Sequence, residues 1–223
     1  MTFKKLMGSI AATGLALFSL GVATMTQAAA KSSSSYAVTT RQVKSGKVTL
    51  PKNTRVAISY KTTKKHIVYA RLDLSNMSYK IRHQTTSKAV TVRYTANFKA
   101  TKSNSNLEKL LAKGKAYTNQ TSFTKAPKLH FTTDQYVEYF ANGNTNSRPT
   151  SSTKITAIKK NGNLIHYYAK KNMLKLPDKR ISKKGNYQYR LAVRINPNIA
   201  KDLSRSYSVG SVKNYFYLPT FRA

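Results

Sequence analysis

The sequence contains no cysteine and no tryptophan, and only 6 of its 223 residues are acidic, against 40 lysines and arginines. Without thiols there is no disulfide framework, no cysteine nucleophile and no Cys-type zinc site. A cell-wall transpeptidase of the cysteine type is excluded on the same ground. The shortage of carboxylates removes most chemistry that depends on convergent Asp and Glu pairs. Of the six acids, Asp73, Glu108, Asp134, Glu138, Asp178 and Asp202, only Asp134 and Glu138 form a close couple. On a strand they share one face, and their expected task is to neutralise neighbouring lysines. The four histidines, His66, His83, His130 and His166, show no metal-ligand spacing. There is no Gly-rich phosphate cradle and no Gly-x-Ser-x-Gly elbow. These absences lead to the expectation of a non-enzyme with no catalytic residue, no metal site and no cofactor.

Long apolar runs are also scarce, and the one present lies at the start. Lys4 and Lys5 precede an apolar stretch from Ile10 to Val22, and small residues lead to a polar segment at Lys31. This is the three-part pattern of a cleavable export signal, read here as Met1 to Ala30. Thr13, Gly14, Ser19 and Gly21 interrupt the run, which makes it a poor permanent span. Cleavage after Ala30 removes two lysines and no acids, leaving 193 residues with a net charge of +32. A chain of that length buries about 70% of its unfolded surface, enough for one domain or two small ones. An exported protein without disulfides fits a Gram-positive surface, so the expected location is secreted, extracellular or bound to the cell surface, with no membrane span after cleavage.

What the chain has in excess is positive charge and tyrosine. The formal net charge of the whole sequence is +34, and 11 of the bases are arginines. Six acids cannot balance such a surplus internally, so most bases must face solvent or an anionic partner. Lysine is a flexible point charge, and its predominance favours diffuse attraction over bidentate recognition. Several of the 15 tyrosines stand beside bases, as in Tyr79-Lys80, Tyr189-Arg190 and Lys213-Asn214-Tyr215-Phe216-Tyr217. An aromatic face beside a cation suits sugar rings and anionic polymers. The candidate binding residues are Lys80, Arg82, Arg190, Arg194, Lys213, Tyr215 and Tyr217, with Tyr215 and Tyr217 expected to point outward beside Lys213.

The pattern along the chain is mainly β. Residues 31–35 form a serine-rich leader. From Tyr36 to about residue 95 apolar residues alternate: Val56, Ile58, Tyr60; Val68, Ala70, Leu72, Leu74; Met77, Tyr79, Ile81; and Val90, Val92, Tyr94. Period two over short runs, with turns at Ser45-Gly46 and Pro51-Lys52-Asn53, predicts a first small antiparallel sheet or barrel over 36–95. Residues 96–127 read as a connector. Within it Ser105 and Glu108 match a capping box, Leu107, Leu110 and Leu111 share a helical face, and Gly114 sits where a C′ glycine belongs; this predicts a short helix from Asn106 to Lys113.

A second β module is expected over 128–223. Gln135 to Phe140 reads as a strand, and Ala141 to Ser152 as a long exposed loop. Thr153–Lys160 and Asn163–Ala169 face each other across Asn161-Gly162, a strong hairpin signal. Tyr187 to Ile195 alternates, with Leu191 and Val193 on one face and Arg190 and Arg194 on the other. Asn196-Pro197 opens a possible helical turn through Leu203, and Ser211 to Leu218 reads as the last strand. The hairpin at 57–70 is echoed at 157–169 in Ala-Ile, a basic turn and an Ile- and Tyr-containing return.

The run Val48-Thr49-Leu50-Pro51-Lys52-Asn53-Thr54-Arg55-Val56, after a signal ending Gln-Ala-Ala-Ala and a serine-rich leader, resembles the bacterial SH3-like modules of exported proteins from lactic-acid bacteria. The Lys- and Tyr-rich, acid-poor character is also similar to the wall-binding region of their surface-layer proteins. The resemblance implies small SH3-like barrels, and partners among peptidoglycan and wall polymers. It brings no catalytic domain, and Leu218-Pro219-Thr220 lacks the glycine, apolar stretch and basic tail of a sortase signal, so covalent anchoring is not expected. The leading functional expectation is a surface protein held by charge to anionic wall polymers such as teichoic acid and peptidoglycan. The alternatives are a freely secreted cationic factor or adhesin that binds host glycans or extracellular nucleic acid, the latter only nonspecifically, and a wall-polymer-modifying enzyme of the Ser-His-Asp kind assembled from distant residues.

Overall fold

Alternation of apolar and polar residues places one face of each strand in a core, and it builds two antiparallel β units. The computed structural model describes residues 35–173, 176–197 and 203–220. The segment expected to be an export signal and the expected leader, up to Ser34, lie outside the described residues, as do residues 198–202 of the helical turn expected after Pro197.

The first unit contains β1 (Ser35–Thr39), β2 (Val43–Ser45), β3 (Val48–Leu50), β4 (Arg55–Lys64), β5 (Ile67–Asp73), α1 (Tyr79–Arg82), β6 (Ala89–Arg93) and β7 (Phe98–Thr101). Five of these strands form a sheet in the order β6-β5-β4-β1-β7, and β2 and β3 make a separate hairpin turned by Gly46. Ala37, Val56, Ile58, Leu72 and Val92 meet Leu50, Leu74, Met77 and Ile81 in one buried cluster. The segment Met77-Tyr79-Ile81, expected as a strand, is instead the short helix α1 and its lead-in. Met77 and Ile81 are one helical turn apart as well as an even number of residues apart, so burial of both is met equally by a helix.

The second unit contains β8 (Lys109–Lys113), α2 (Gln120–Lys125), β9 (Lys128–Phe131), β10 (Tyr136–Phe140), β11 (Ser151–Asn161), β12 (Leu164–Ala169), β13 (Lys179–Arg180), β14 (Tyr189–Asn196), β15 (Ser204–Val209) and β16 (Tyr215–Pro219). Eight of these strands, all but the short β13, follow one another as a closed antiparallel barrel, in which β12 pairs with β14 and β16 returns to β8. An eight-stranded barrel is just wide enough for side chains to fill. Here Leu111, Leu129, Phe131, Ile155, Tyr167 and Tyr207 pack the interior, with the Phe131 and Tyr167 rings stacked at 4.2 Å.

The helix expected over Asn106–Lys113 is a correction. That stretch ends in strand β8, with Leu111 opposite Leu129 and Ala112 between Lys128 and Tyr217. A strand slot between β9 and β16 satisfies backbone groups on both sides and closes the barrel, which outweighs a local capping box. Glu108 adopts φ 58° and accepts a hydrogen bond from the Tyr36 hydroxyl at 2.8 Å rather than capping a helix. Gly114 is no helix terminus; a Cβ there would meet the Tyr217 ring at 3.1 Å. The short helix of this segment is α2, capped by the Asn119 side chain, which accepts from Ser122 N at 2.8 Å.

The hairpin at 151–169 forms, with its turn one residue later than expected: Asn161 pairs with Leu164 around Gly162 and Asn163. Strand β15 has no counterpart in the sequence reading, because Ser204, Ser206 and Ser208 are buried and do not register as an apolar face. The echoed hairpins share more than composition. Both carry a register shift at the same distance before the turn, between Ile58 and Tyr60 and between Ile155 and Ala157. Both are flanked by antiparallel partners in the same order, β1 and β6 for one, β10 and β14 for the other.

The β4–β5 turn holds Lys65 at φ 46° and His66 at φ 63°, a left-handed pair that L residues with a Cβ adopt at a cost of about 1–2 kcal/mol each. Asn-Gly is the pair that suits such a turn. Lys65→Asn combined with His66→Gly is expected to raise unfolding stability by about 1 kcal/mol or more, measured by urea denaturation.

Candidate functional site

Helix α1 is too short to stand alone, and its amino end is held by the barrel. Ser78, its N-cap, makes no side-chain cap of its own. Instead Ser78 N donates to Asp134 Oδ1 at 2.7 Å, Ser78 Oγ donates to Asp134 Oδ2 at 2.6 Å, and Tyr79 N donates to Glu138 Oε1 at 2.7 Å. Carboxylates at the first turn meet unpaired N–H groups, which is where anions are favoured. Glu138 also accepts from Arg82 Nη1 at 2.9 Å in a pair with side-chain exposures of 11% and 1%. Arg82 donates further to Met77 O and Thr145 O, and its guanidinium lies 5.6 Å from both the Tyr79 and Phe140 rings. Asp134 and Glu138 do converge, and their side chains bind α1. Lys154 donates to the backbone oxygen of Asp134, and its charged form is favoured by that residue's charge, in line with the expected neutralisation of a lysine.

Beside this contact lies a cleft of about 830 Å³, a size typical of small-ligand sites. Its walls come from the β2–β3 turn, the β5–α1 loop, α1 and the loop after it, the 141–150 loop and the outer faces of β8 and β9. Lys47, Lys88 and Arg82 supply positive charge, and among the described residues no carboxylate lines it. Asn76, Thr86 and Asn146 contribute amides and a hydroxyl, while Leu74 and Leu110 form an apolar floor. His130 is 5% exposed, and its Nδ1 has no hydrogen-bond partner. Among the described residues no three metal-ligating side chains converge.

No family model, curated protein or solved structure matches this chain.

The residues singled out from sequence do not gather in one place. Arg82 lines the cleft, but its terminal nitrogens are engaged, and Lys80 is exposed on α1. Arg190 and Arg194 are on the outer face of β14, and Arg194 shares a shallow depression of about 130 Å³ with Val212, next to Lys213. Tyr215 is half-buried, with Lys115 Nζ 5.8 Å from its ring. Tyr217 corrects the outward reading: it is 2% exposed and packs against Tyr117 and Phe123. Tyrosines beside cations are largely used within the molecule, as with Arg55 over Tyr36 at 4.3 Å and Lys61 over Tyr94 at 3.7 Å. Lys47, Lys88 and His130 were not singled out. Nothing in their local sequence marks them, because the fold brings them together from separate elements.

Burial, and secondarily Arg82, push the His130 imidazole from 6.5 down to about 3. Glu138 lies 3.9 Å from Nδ1, yet Arg82 already engages its charge. The unfolded chain binds a proton here below about pH 6.5, and the folded chain does not until about pH 3. Stability contributed by this group is therefore intact above 6.5 and falls by about 1.4 kcal/mol per pH unit down to about 3. Burial moves Glu138 upward, the opposite sense, so the comparison of wild type with His130→Gln isolates the histidine; the variant is expected to show the shallower acid loss in denaturation between pH 7 and 4. Arg82→Met or Glu138→Gln alone leaves a buried charge unpaired and is expected to cost about 3–5 kcal/mol. The double variant should cost less than the sum, as read by urea denaturation.

Proposed function

We propose that this is a non-enzymatic exported surface protein held to the cell by electrostatic contact with anionic wall polymers. The observation that carries the reading is where the acids go. All five described carboxylates are engaged within the fold: Asp134 and Glu138 on α1, Glu108 on Tyr36, Asp73 accepting from Ser75 N, and Asp178 accepting from Met173 N. Among the described lysines and arginines, all but Arg55, Arg82, Lys109, Lys128, Lys154 and Arg190 are exposed. The surface thus carries cations with almost no anions between them, and a dense polyanion outside the cell is the partner that such a field attracts. The resemblance to exported SH3-like and surface-layer wall-binding modules agrees with this reading.

Binding through many lysines releases counterions from the polymer, so it weakens steeply with salt. Co-sedimentation of the full chain with purified walls is expected to be strong at ~50 mM NaCl and lost by ~1 M, where the screening length is about 3 Å. Walls stripped of phosphodiester polymers should retain much less. A protein that stays on walls in molar salt, or that prefers heparin or DNA to walls at matched ionic strength, would overturn the proposal; the latter outcome favours a freely secreted factor.

A further inference from the structure

We infer that the cleft beside α1 is a specific subsite for a phosphodiester-linked polyol segment, a chain of hydroxylated carbons joined through phosphate. The inference deepens the reading above and rests on it. General surface charge would retain the protein on any polyanion, whereas this cleft combines charge with shape. Its volume, about 830 Å³, admits a short stretch of polymer and not only an ion.

The chemistry follows from which donors are available. Arg82 could have offered a planar fork for a carboxylate, but its Nη1 and Nη2 are bound to Met77 O, Glu138 and Thr145 O. That leaves Lys47 and Lys88, both exposed and neither in an ion pair among the described residues. Two point charges without a free guanidinium fit single phosphodiester charges better than carboxylates, which bidentate arginine recognises. The amides and hydroxyls on the walls, Asn76 and Thr86 among them, are of the kind that meets polyol hydroxyls. His130 closes the inner wall of the cleft at 5% exposure; its Nδ1 is buried 3.9 Å from Glu138 Oε2, so the ring shapes the cleft and does not offer that nitrogen to a ligand.

The test compares the full chain with two double variants of equal charge loss. Lys47→Gln with Lys88→Gln removes the cleft cations; Lys179→Gln with Lys184→Gln removes two exposed cations elsewhere. A third variant, Thr86→Trp, fills the cleft and leaves the charge unchanged. Binding of a synthetic glycerol-phosphate oligomer is measured by calorimetry at ~150 mM salt, with a heparin oligosaccharide and inorganic phosphate as separate arms, and thermal melts confirm that each variant folds. The cleft pair and Thr86→Trp are each expected to lose about tenfold or more for the oligomer, and the remote pair less than about threefold. Retention on whole walls should fall alike for both double variants, because it follows total charge. If wall retention stays salt-sensitive while the cleft variants bind the oligomer like the remote pair, the subsite is wrong and the surface reading stands. Equal binding of heparin and the oligomer, or of phosphate alone, also overturns the subsite. If no protein form sediments with walls, the surface reading itself fails.

Discussion

The capping of α1 by Asp134 and Glu138 is the constraint on which the arrangement of the two β units depends. In a chain with so few carboxylates, two of them are committed to one helical turn, where they satisfy Ser78 N, Ser78 Oγ, Tyr79 N and Arg82. A four-residue helix gains little from its own backbone bonds. Its persistence here comes from ligands supplied across a junction, reinforced by Thr133 N donating to Asn76 O at 2.8 Å and by His83 on Asn146 O. The same contact sets the separation of the walls between which the cleft opens. Energetics of the junction and geometry of the candidate site are therefore one problem.

Scarcity of acid works on two scales. Locally, each described carboxylate has a structural partner. Globally, that leaves the exposed lysines and arginines without internal compensation, so their mutual repulsion must be balanced by the two apolar cores. Burial of large side chains such as Tyr167, Tyr207 and Phe131 gives the barrel the means to do so. Tyrosine serves this end as well, since its ring fills a core and its hydroxyl can still find a partner, as Tyr167 does on Asn106 O at 2.7 Å.

Much of the β architecture was legible because strand patterning survives in the residues themselves: Leu191 and Val193 inward and Arg194 outward on β14, and the hairpin around Gly162. What misled was local information overruled by distant partners. The Ser105–Glu108 box describes a helix start, yet Leu111 and Ala112 are worth more between β9 and β16 than on a helix. Met77 and Ile81 satisfy either period, and only the carboxylates of the barrel decide for the helix. The buried serines of β15 hide a strand from any apolar count. Asp134 and Glu138 were visible as a couple, but their partner, Ser78 and the turn after it, lies far away in sequence. The cleft was not legible at all, because its charges come from the β2–β3 turn, α1 and the loop after it, which become neighbours only once the first unit has folded, and its remaining wall comes from the barrel.

The barrel is a meander in which most pairings join consecutive strands, and only the β16–β8 seam links its two ends. Such pairings are local and quick to form, whereas the seam requires the first and last strands to find each other across the whole unit. A chain that folds from its amino end would hold β8 with one side unpaired until Phe216 and Tyr217 arrive opposite Lys113 and Ala112. Closure is then the slow, committing step. Until it occurs, two strand edges stand open to another copy of the same chain, and the repulsion among like-charged neighbours becomes a safeguard against edge-to-edge association during assembly.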